Sequence, residues 1–277
     1  MSVWSENSRA ALLSVLILAL ALLAWELAIP AQQLATEMTE YERLMGGGSA
    51  RAGIPAPSQV AVKAWEQLSN PFYDAGPNDK GIGIQIAYSL GRVLTGYGMA
   101  ALIAIPLGFL IGMSPVAYKA LNPFIQVLRP ISPLAWMPLA LFIIQDSEAS
   151  AIFVIFICSI WPMLLNTAFG VSGVRADWAN VARTHELGSL RTALTVILPA
   201  AAPTILTGMR ISMGIAWLVI VAAEMLIGGN GIGYFLWNEW NNLSLANVIF
   251  AVLMIGVVGM ALDLMFAALQ KKVTYVE

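Results

Sequence analysis

Long apolar runs alternate with shorter polar segments along this chain, and each run has the length of a membrane-crossing helix. A hydrocarbon core of about 30 Å takes about 20 apolar residues in one helix. The first run, Ala10 to Ala28, is rich in Ala and Leu and is interrupted only late, by Glu26. A cleaved leader would begin in a similar way, with Arg9 ahead of an apolar stretch. Because further runs follow, the first is expected to be an anchor. The second, about Ile84 to Met113, contains Arg92. The third is a proline-rich stretch from Asn122 to Pro138 that leads into an apolar run ending near Ile144. With Pro123, Pro130, Pro133 and Pro138 it cannot be one uninterrupted helix. The fourth, fifth and sixth are about Ala149 to Phe169, Ala200 to Ile227 and Leu245 to Leu269. The pattern predicts an all-α polytopic membrane protein with about six transmembrane helices.

Polar material is concentrated between the runs. Residues 31–83 carry ten charges, Gly46-Gly47-Gly48 and several prolines, with a short interfacial helix expected around 58–69. This divides the chain into residues 1–83, an anchor helix (about 10–28) plus an extracytoplasmic excursion, and residues 84–277, a core of five spans. Lys and Arg in loops set the orientation. With the amino terminus inside, the inner segments hold Arg9, Lys119, Arg175, Arg183, Arg191, Lys271 and Lys272. The outer ones hold Arg43, Arg51, Lys63 and Lys80, all in one long loop. Both termini are therefore expected to be cytoplasmic.

Composition removes most other classes. Hydrophobic residues make up 59% and charged ones 11% of the 277 residues, against roughly 25% charged in a soluble domain. A cytosolic enzyme and a disordered chain are excluded, and 14 basic against 16 acidic residues lack the basic excess of a nucleic-acid binder. One cysteine, Cys158, permits no intrachain disulfide, and one histidine, His185, permits no histidine-rich metal cluster. No G-x-x-x-x-G-K-[ST] phosphate loop is present. Gly228 to Gly233 resembles a dinucleotide loop but follows a membrane run and lacks the required glycine spacing, so a turn is expected. Gly170-Val171-Ser172-Gly173 matches the serine motif of intramembrane proteases. His185, 13 residues on in the same charged loop, is badly placed to serve as its base, since such pairs draw on separate spans.

The charges left inside the runs are candidates for function, because a charge in hydrocarbon costs a few kcal/mol at least (about 2.5–3.5 on insertion scales). Arg210 and Glu224 share the fifth run but lie about 21 Å apart along it. Each needs a partner elsewhere: a neighbouring span, Arg92, Arg129 or water. Arg210 or Arg129 would attract a small anion; a structural ion pair is the competing expectation. Interrupted membrane helices line substrate routes, so Arg129 to Pro138 is a pathway candidate, with Trp136 and Met137 as a bulky apolar gate. Trp237 and Trp240 read as interfacial aromatics.

The loop at 170–198 holds the most specific pattern. Asp177 can cap a helix in which Trp178, Val181, Ala182 and His185 form one stripe, with Gly188 as terminator. A helix this short is unstable alone, and its mixed charges favour a protein partner over lipid. Asn180-Val181-Ala182, then Glu186, then Val196-Ile197-Leu198-Pro199 resembles the E-A-A-x(3)-G-x(9)-I-x-L-P signature of ABC-importer permeases. Asn180, Val181 and Glu186 depart from it, while Ala182, Leu198 and Pro199 match. Supporting stretches are Arg92-Val93-Leu94-x-Gly96, Ile105-Pro106-Leu107-Gly108, Arg129 through Leu139, Pro203-x(4)-Gly208-Met209-Arg210, and Ala216 through Leu226. The chain from about Pro55 on is similar to the nitrate/bicarbonate/sulfonate branch of that family. Within it, the Asn-Val-Ala variant and Asn70-Pro71-Phe72-Tyr73-Asp74 look most like cyanobacterial-type nitrate permeases.

The resemblance implies the type I ABC-importer permease fold and a non-catalytic role in importing a small inorganic anion, nitrate (and nitrite), across a bacterial inner membrane. Bicarbonate or a sulfonate such as taurine is the alternative cargo, and an ATP-independent secondary transporter or channel the alternative class. It also implies a second permease copy, two cytoplasmic ATPase subunits that use ATP and Mg, and an extracytoplasmic substrate-binding protein. This chain itself would bind no cofactor or metal. Asn180, Val181, Ala182, Arg183 and Glu186, in a helix at about 177–188, would dock the ATPase, with Leu198 and Pro199 joining that helix to the fifth span.

Overall fold

The computed structural model describes residues 6–29, 54–76, 79–175, 177–178, 184 and 188–273. The helices are α1 (Glu6–Ala28), α2 (Pro57–Ser69), α3 (Ile82–Met113), α4 (Pro115–Leu128), α5 (Pro133–Ile144), α6 (Ser147–Ser172), α7 (Ser189–Thr192), α8 (Leu198–Ile227), α9 (Ile232–Asn241) and α10 (Leu245–Val273). A two-stranded antiparallel hairpin, β1 (Asp74–Gly76) and β2 (Asp79–Lys80), precedes α3. Among the described residues, five helical stretches are long and apolar enough to cross a membrane, and a sixth crossing is available if α4 and α5, bent by 92°, count as one span.

The chain divides into two compact units, residues 1–71 with 236–253, and residues 72–235 with 254–277. In the first, α1 is exposed along its length, with Leu12 through Leu23 facing outward, as suits a helix surrounded by lipid. Glu26, which interrupts the first apolar run, has a local task. Its carboxylate accepts the Ser58 N–H at 3.2 Å and the Ser58 hydroxyl at 2.8 Å, binding donors in the first turn of α2 that have no helical acceptor.

In the second unit α3, α6 and α8 form the packed centre. Gly96, Ala100, Ala104, Gly108 and Gly112 recur every fourth residue on α3, and the two alanines are fully buried. A Cβ added at Gly108 would lie 2.7 Å from the Leu164 carbonyl oxygen, and one at Gly112 would lie 2.7 Å from that of Ala168. Small residues thus let the α3 and α6 backbones meet, the form of packing that replaces hydrophobic drive inside a bilayer. Asp146 caps α6, accepting the Ala149 N–H at 2.7 Å. Ser114 caps α4 ahead of Pro115. Gln145, with φ 58°, turns the chain out of α5 in the left-handed region.

The third run breaks at residues 129–132, between Pro130 and Pro133, while Pro123 and Pro138 sit within helices. The fifth run begins earlier than its hydropathy indicates. Helix resumes at Ser189 and passes through a π-helical turn, Ala193–Ile197, in which the Leu198 N–H donates to the Ala193 carbonyl five residues back. Pro199 has no N–H to give, so the ladder shifts by one residue just ahead of it and the helix continues. The polar character of Arg191 and Thr192 hid this extension.

Candidate functional site

The break between α4 and α5 opens onto a cavity of 530 Å³. Arg129, Ile131, Pro133 and Trp136 line it from the break, Cys158, Trp161, Pro162, Leu165, Asn166 and Phe169 from α6, and Ile211 and Ile215 from α8. Arg129 closes α4, its N–H donating to the Ile125 carbonyl at 3.0 Å. Its guanidinium forms no ion pair among the described residues. Pro162 cannot donate to the Cys158 carbonyl, and Asn166 turns its amide to the Pro162 carbonyl at 2.8 Å. The cavity therefore combines one cation, two indoles and an amide on apolar walls, a composition that can hold a small anion while giving up little of its hydration to specific bonds.

Sequence-derived candidates sort around this cavity unevenly. Arg129 and Trp136 line it together. Met137 is buried at 1% exposure and does not line it. Trp161 and Asn166 were not singled out from sequence; the signal available was a polar residue one turn after Pro162 inside an apolar run.

Glu224 belongs to a different cluster and is fully buried. Its carboxylate accepts the Ser89 hydroxyl at 2.8 Å to each oxygen, Arg92 Nη1 at 2.8 Å and the Gly233 N–H at 2.9 Å. Arg92 also donates Nη2 to Glu148 at 2.7 Å and Nη1 to the Asn230 carbonyl at 2.5 Å. Gly228 to Gly231 form a turn, as expected, and Ile232 and Gly233 already begin α9. The turn wraps the carboxylate so closely that a Cβ at Gly231, whose φ is 144°, would lie 2.2 Å from Glu224 Cδ. Gln85 Oε1 accepts the Gly231 N–H and Ser89 Oγ the Ile232 N–H, at 2.5 and 2.9 Å. Buried charge is tolerated here because each of these groups is bonded. Arg210 lies outside the cavity lining too; its Nε and Nη2 donate to the two oxygens of Asp263 on α10, both at 2.6 Å.

Of the proposed docking segment, Asn180, Val181, Ala182, Arg183 and Glu186 lie outside the described residues, while Asp177, Trp178 and Thr184 are helical. Asp177, expected as a cap, is itself in the helix, and its carboxylate takes Arg175 at 3.3 Å. Leu198 packs against a buried cluster of Val171, Ile197, Ala201 and Ile205, and Pro199 sits in the first turn of α8.

Apolar spans and a proline-broken helix pair define a polytopic membrane protein. Residues 104–275 match the family described as binding-protein-dependent transport system inner membrane component, and the chain belongs to that family. It is 45% identical over 248 residues to the nitrate import permease protein NrtB of Synechocystis sp., covering 90% of each chain. It is also 45% identical over 221 residues, 79% of each chain, to the bicarbonate transport system permease protein CmpB of the same organism. Among solved structures, an inward-facing MetNI methionine ABC transporter matches with a TM-score of 0.60 at 13% identity, covering 68% of this chain and 94% of that one. The likeness establishes the fold as that of an ABC-importer permease. Family membership also sets aside the ATP-independent transporter or channel as a class.

Proposed function

We propose that this chain is the permease of an ATP-driven importer of nitrate (and nitrite), and that the anion passes the cavity at the α4–α5 break. The observation that carries this reading is Arg129 in that cavity: a cation with no ion pair among the described residues, sharing the lining with Trp136, Trp161 and Asn166, on a chain 45% identical over nine-tenths of its length to a nitrate import permease protein. One chain encloses half a route, so two copies pair. Two cytoplasmic ATPase subunits supply the energy, using ATP and Mg, and an extracytoplasmic binding protein delivers the anion. The chain resides in a bacterial inner membrane with both termini cytoplasmic. Asn180, Val181, Ala182, Arg183 and Glu186 dock the ATPase, and Leu198 and Pro199 carry its motion into α8. Trp136 and Met137 form a bulky apolar gate on the route. Glu224 acts in a structural cluster.

Bicarbonate is the second reading, supported by 45% identity to a bicarbonate permease protein. Uptake of labelled nitrate in competition with bicarbonate and taurine, by the reconstituted complex, tests the choice. Nitrate is expected to compete best, and Arg129→Gln to cut uptake at least ten-fold with assembly intact. Full uptake in that variant would refute the route.

A further inference from the structure

Arg210 and Asp263 form an ion pair that the route above does not use. Arg210 lies about 18 Å along α8 from Leu198, and Asp263 about 15 Å along α10 from Val273, at 1.5 Å per residue. Both positions lie within helices long and apolar enough to cross a membrane. Yet the two side chains are 37% and 52% exposed. Charges at that depth face water or protein, since acyl chains cannot solvate them.

The pair differs in kind from the Arg92–Glu224 cluster. Glu224 is closed off and held by donors from a hydroxyl, a guanidinium and the backbone. Among the described residues, Arg210 donates only to Asp263 and Asp263 accepts only from Arg210. Nothing else fixes either group. Along the α8–α10 seam Gln270 donates to Thr207 and Trp217 Nε1 to the Ile255 carbonyl, both at 2.9 Å, while a Cβ at Gly214, one turn from Arg210, would meet open space.

The geometry of the pair is a side-on fork, Nε and Nη2 each 2.6 Å from one oxygen of a planar, singly charged group. Guanidinium recognises such an edge by two parallel hydrogen bonds. Nitrate, nitrite and bicarbonate present the same planar O–X–O edge with the same charge. We propose that Arg210 is a second oxyanion-binding residue of this permease, and that the Asp263 carboxylate is the resident stand-in which a planar oxyanion displaces and which reclaims Arg210 as the anion leaves. This inference rests on the anion-import reading and names a substrate contact within it.

The test uses the complete importer in proteoliposomes with saturating nitrate-loaded binding protein, so that the rate reads the membrane subunits. Arg210→Lys, which keeps the charge and loses the fork, is expected to slow uptake at least ten-fold. Asp263→Asn removes the competitor, and the labelled nitrate retained by the purified complex after gel filtration is expected to rise at least five-fold. The exchange Arg210→Asp with Asp263→Arg restores the pair but moves the cation to α10. It is expected to recover assembly and thermal stability and not uptake. Recovery of uptake by the exchange, or unchanged nitrate retention in Asp263→Asn, would overturn the Arg210 assignment alone. Wild-type uptake of taurine in place of nitrate would overturn the nitrate reading and the planar class with it.

Discussion

Replacing Glu224 tests the physical account of the buried cluster. Alanine at this position would leave Arg92 Nη1, the Ser89 hydroxyl and the Gly233 N–H without their shared acceptor. Breaking a buried ion pair by removing one partner costs about 3–5 kcal/mol. Glutamine keeps one acceptor and nearly the same volume. It removes the charge and sets an NH2 donor against either Arg92 Nη1 or the Gly233 N–H, while Arg92 still has Glu148, at 2.7 Å, as counter-ion. The loss then resembles that of one charge-assisted hydrogen bond, about 1.5–3 kcal/mol. In a chain of this size each kcal/mol moves the melting temperature by roughly 2–4 °C. Glu224→Ala should therefore lower it by about 10 °C and Glu224→Gln by about half that. Thermal unfolding of the detergent-purified complex, followed by tryptophan fluorescence, measures both. A Glu224→Ala protein melting within 2 °C of wild type, by this scale, would refute the reasoning, as would a glutamine variant as unstable as the alanine one.

Other parts of the structure make separate predictions. Gly108→Val forces the α3 and α6 backbones apart and should abolish a stable fold, whereas Gly98→Ala, where a Cβ meets open space, should melt as wild type. Expression with size-exclusion profiles distinguishes these, and a monodisperse Gly108→Val protein would count against the close packing. In the hairpin, the hydrogen bond from Lys80 at 2.6 Å holds the Asp74 carboxyl below its ordinary range, and Asp74 holds the Lys80 ammonium above its own. Each shift favours the charged pair. Its contribution is present between the two unfolded-state values, and is lost as pH falls through the folded Asp74 value or rises through the folded Lys80 value. Lys80→Met should raise the Asp74 titration midpoint in carboxylate NMR, and an unmoved midpoint would contradict the pairing. Replacing Glu186 or Arg183 should uncouple ATP hydrolysis from uptake with the fold intact. Unchanged transport after scrambling residues 178–187 would remove the docking assignment.

The long spans were legible because hydropathy alone dictates them, and the helix break because four prolines in 16 residues admit no continuous ladder. The every-fourth small residues of α3 were equally legible once a close neighbour was assumed, though sequence does not say that α6 is that neighbour. Partners of the charges within the spans were not recoverable. Arg92 and Glu224 are 132 positions apart and Arg210 and Asp263 are 53 apart, and periodicity carries no information across such separations. Gly228–Gly233 could be read as a turn, since glycines at positive φ announce one. That the turn exists to enclose a carboxylate depends on three other elements. Within the cavity, Arg129 and Trp136 followed from the proline break, while Trp161 and Asn166 looked like ordinary residues of an apolar run.

The most direct test of the whole account is accumulation of labelled nitrate in proteoliposomes containing this permease, its partner ATPases and its binding protein. The account predicts uptake against a gradient that requires ATP, fails without the ATPase subunits and prefers nitrate to bicarbonate. Uptake by the permease alone without ATP, or accumulation of bicarbonate with nitrate excluded, would contradict it.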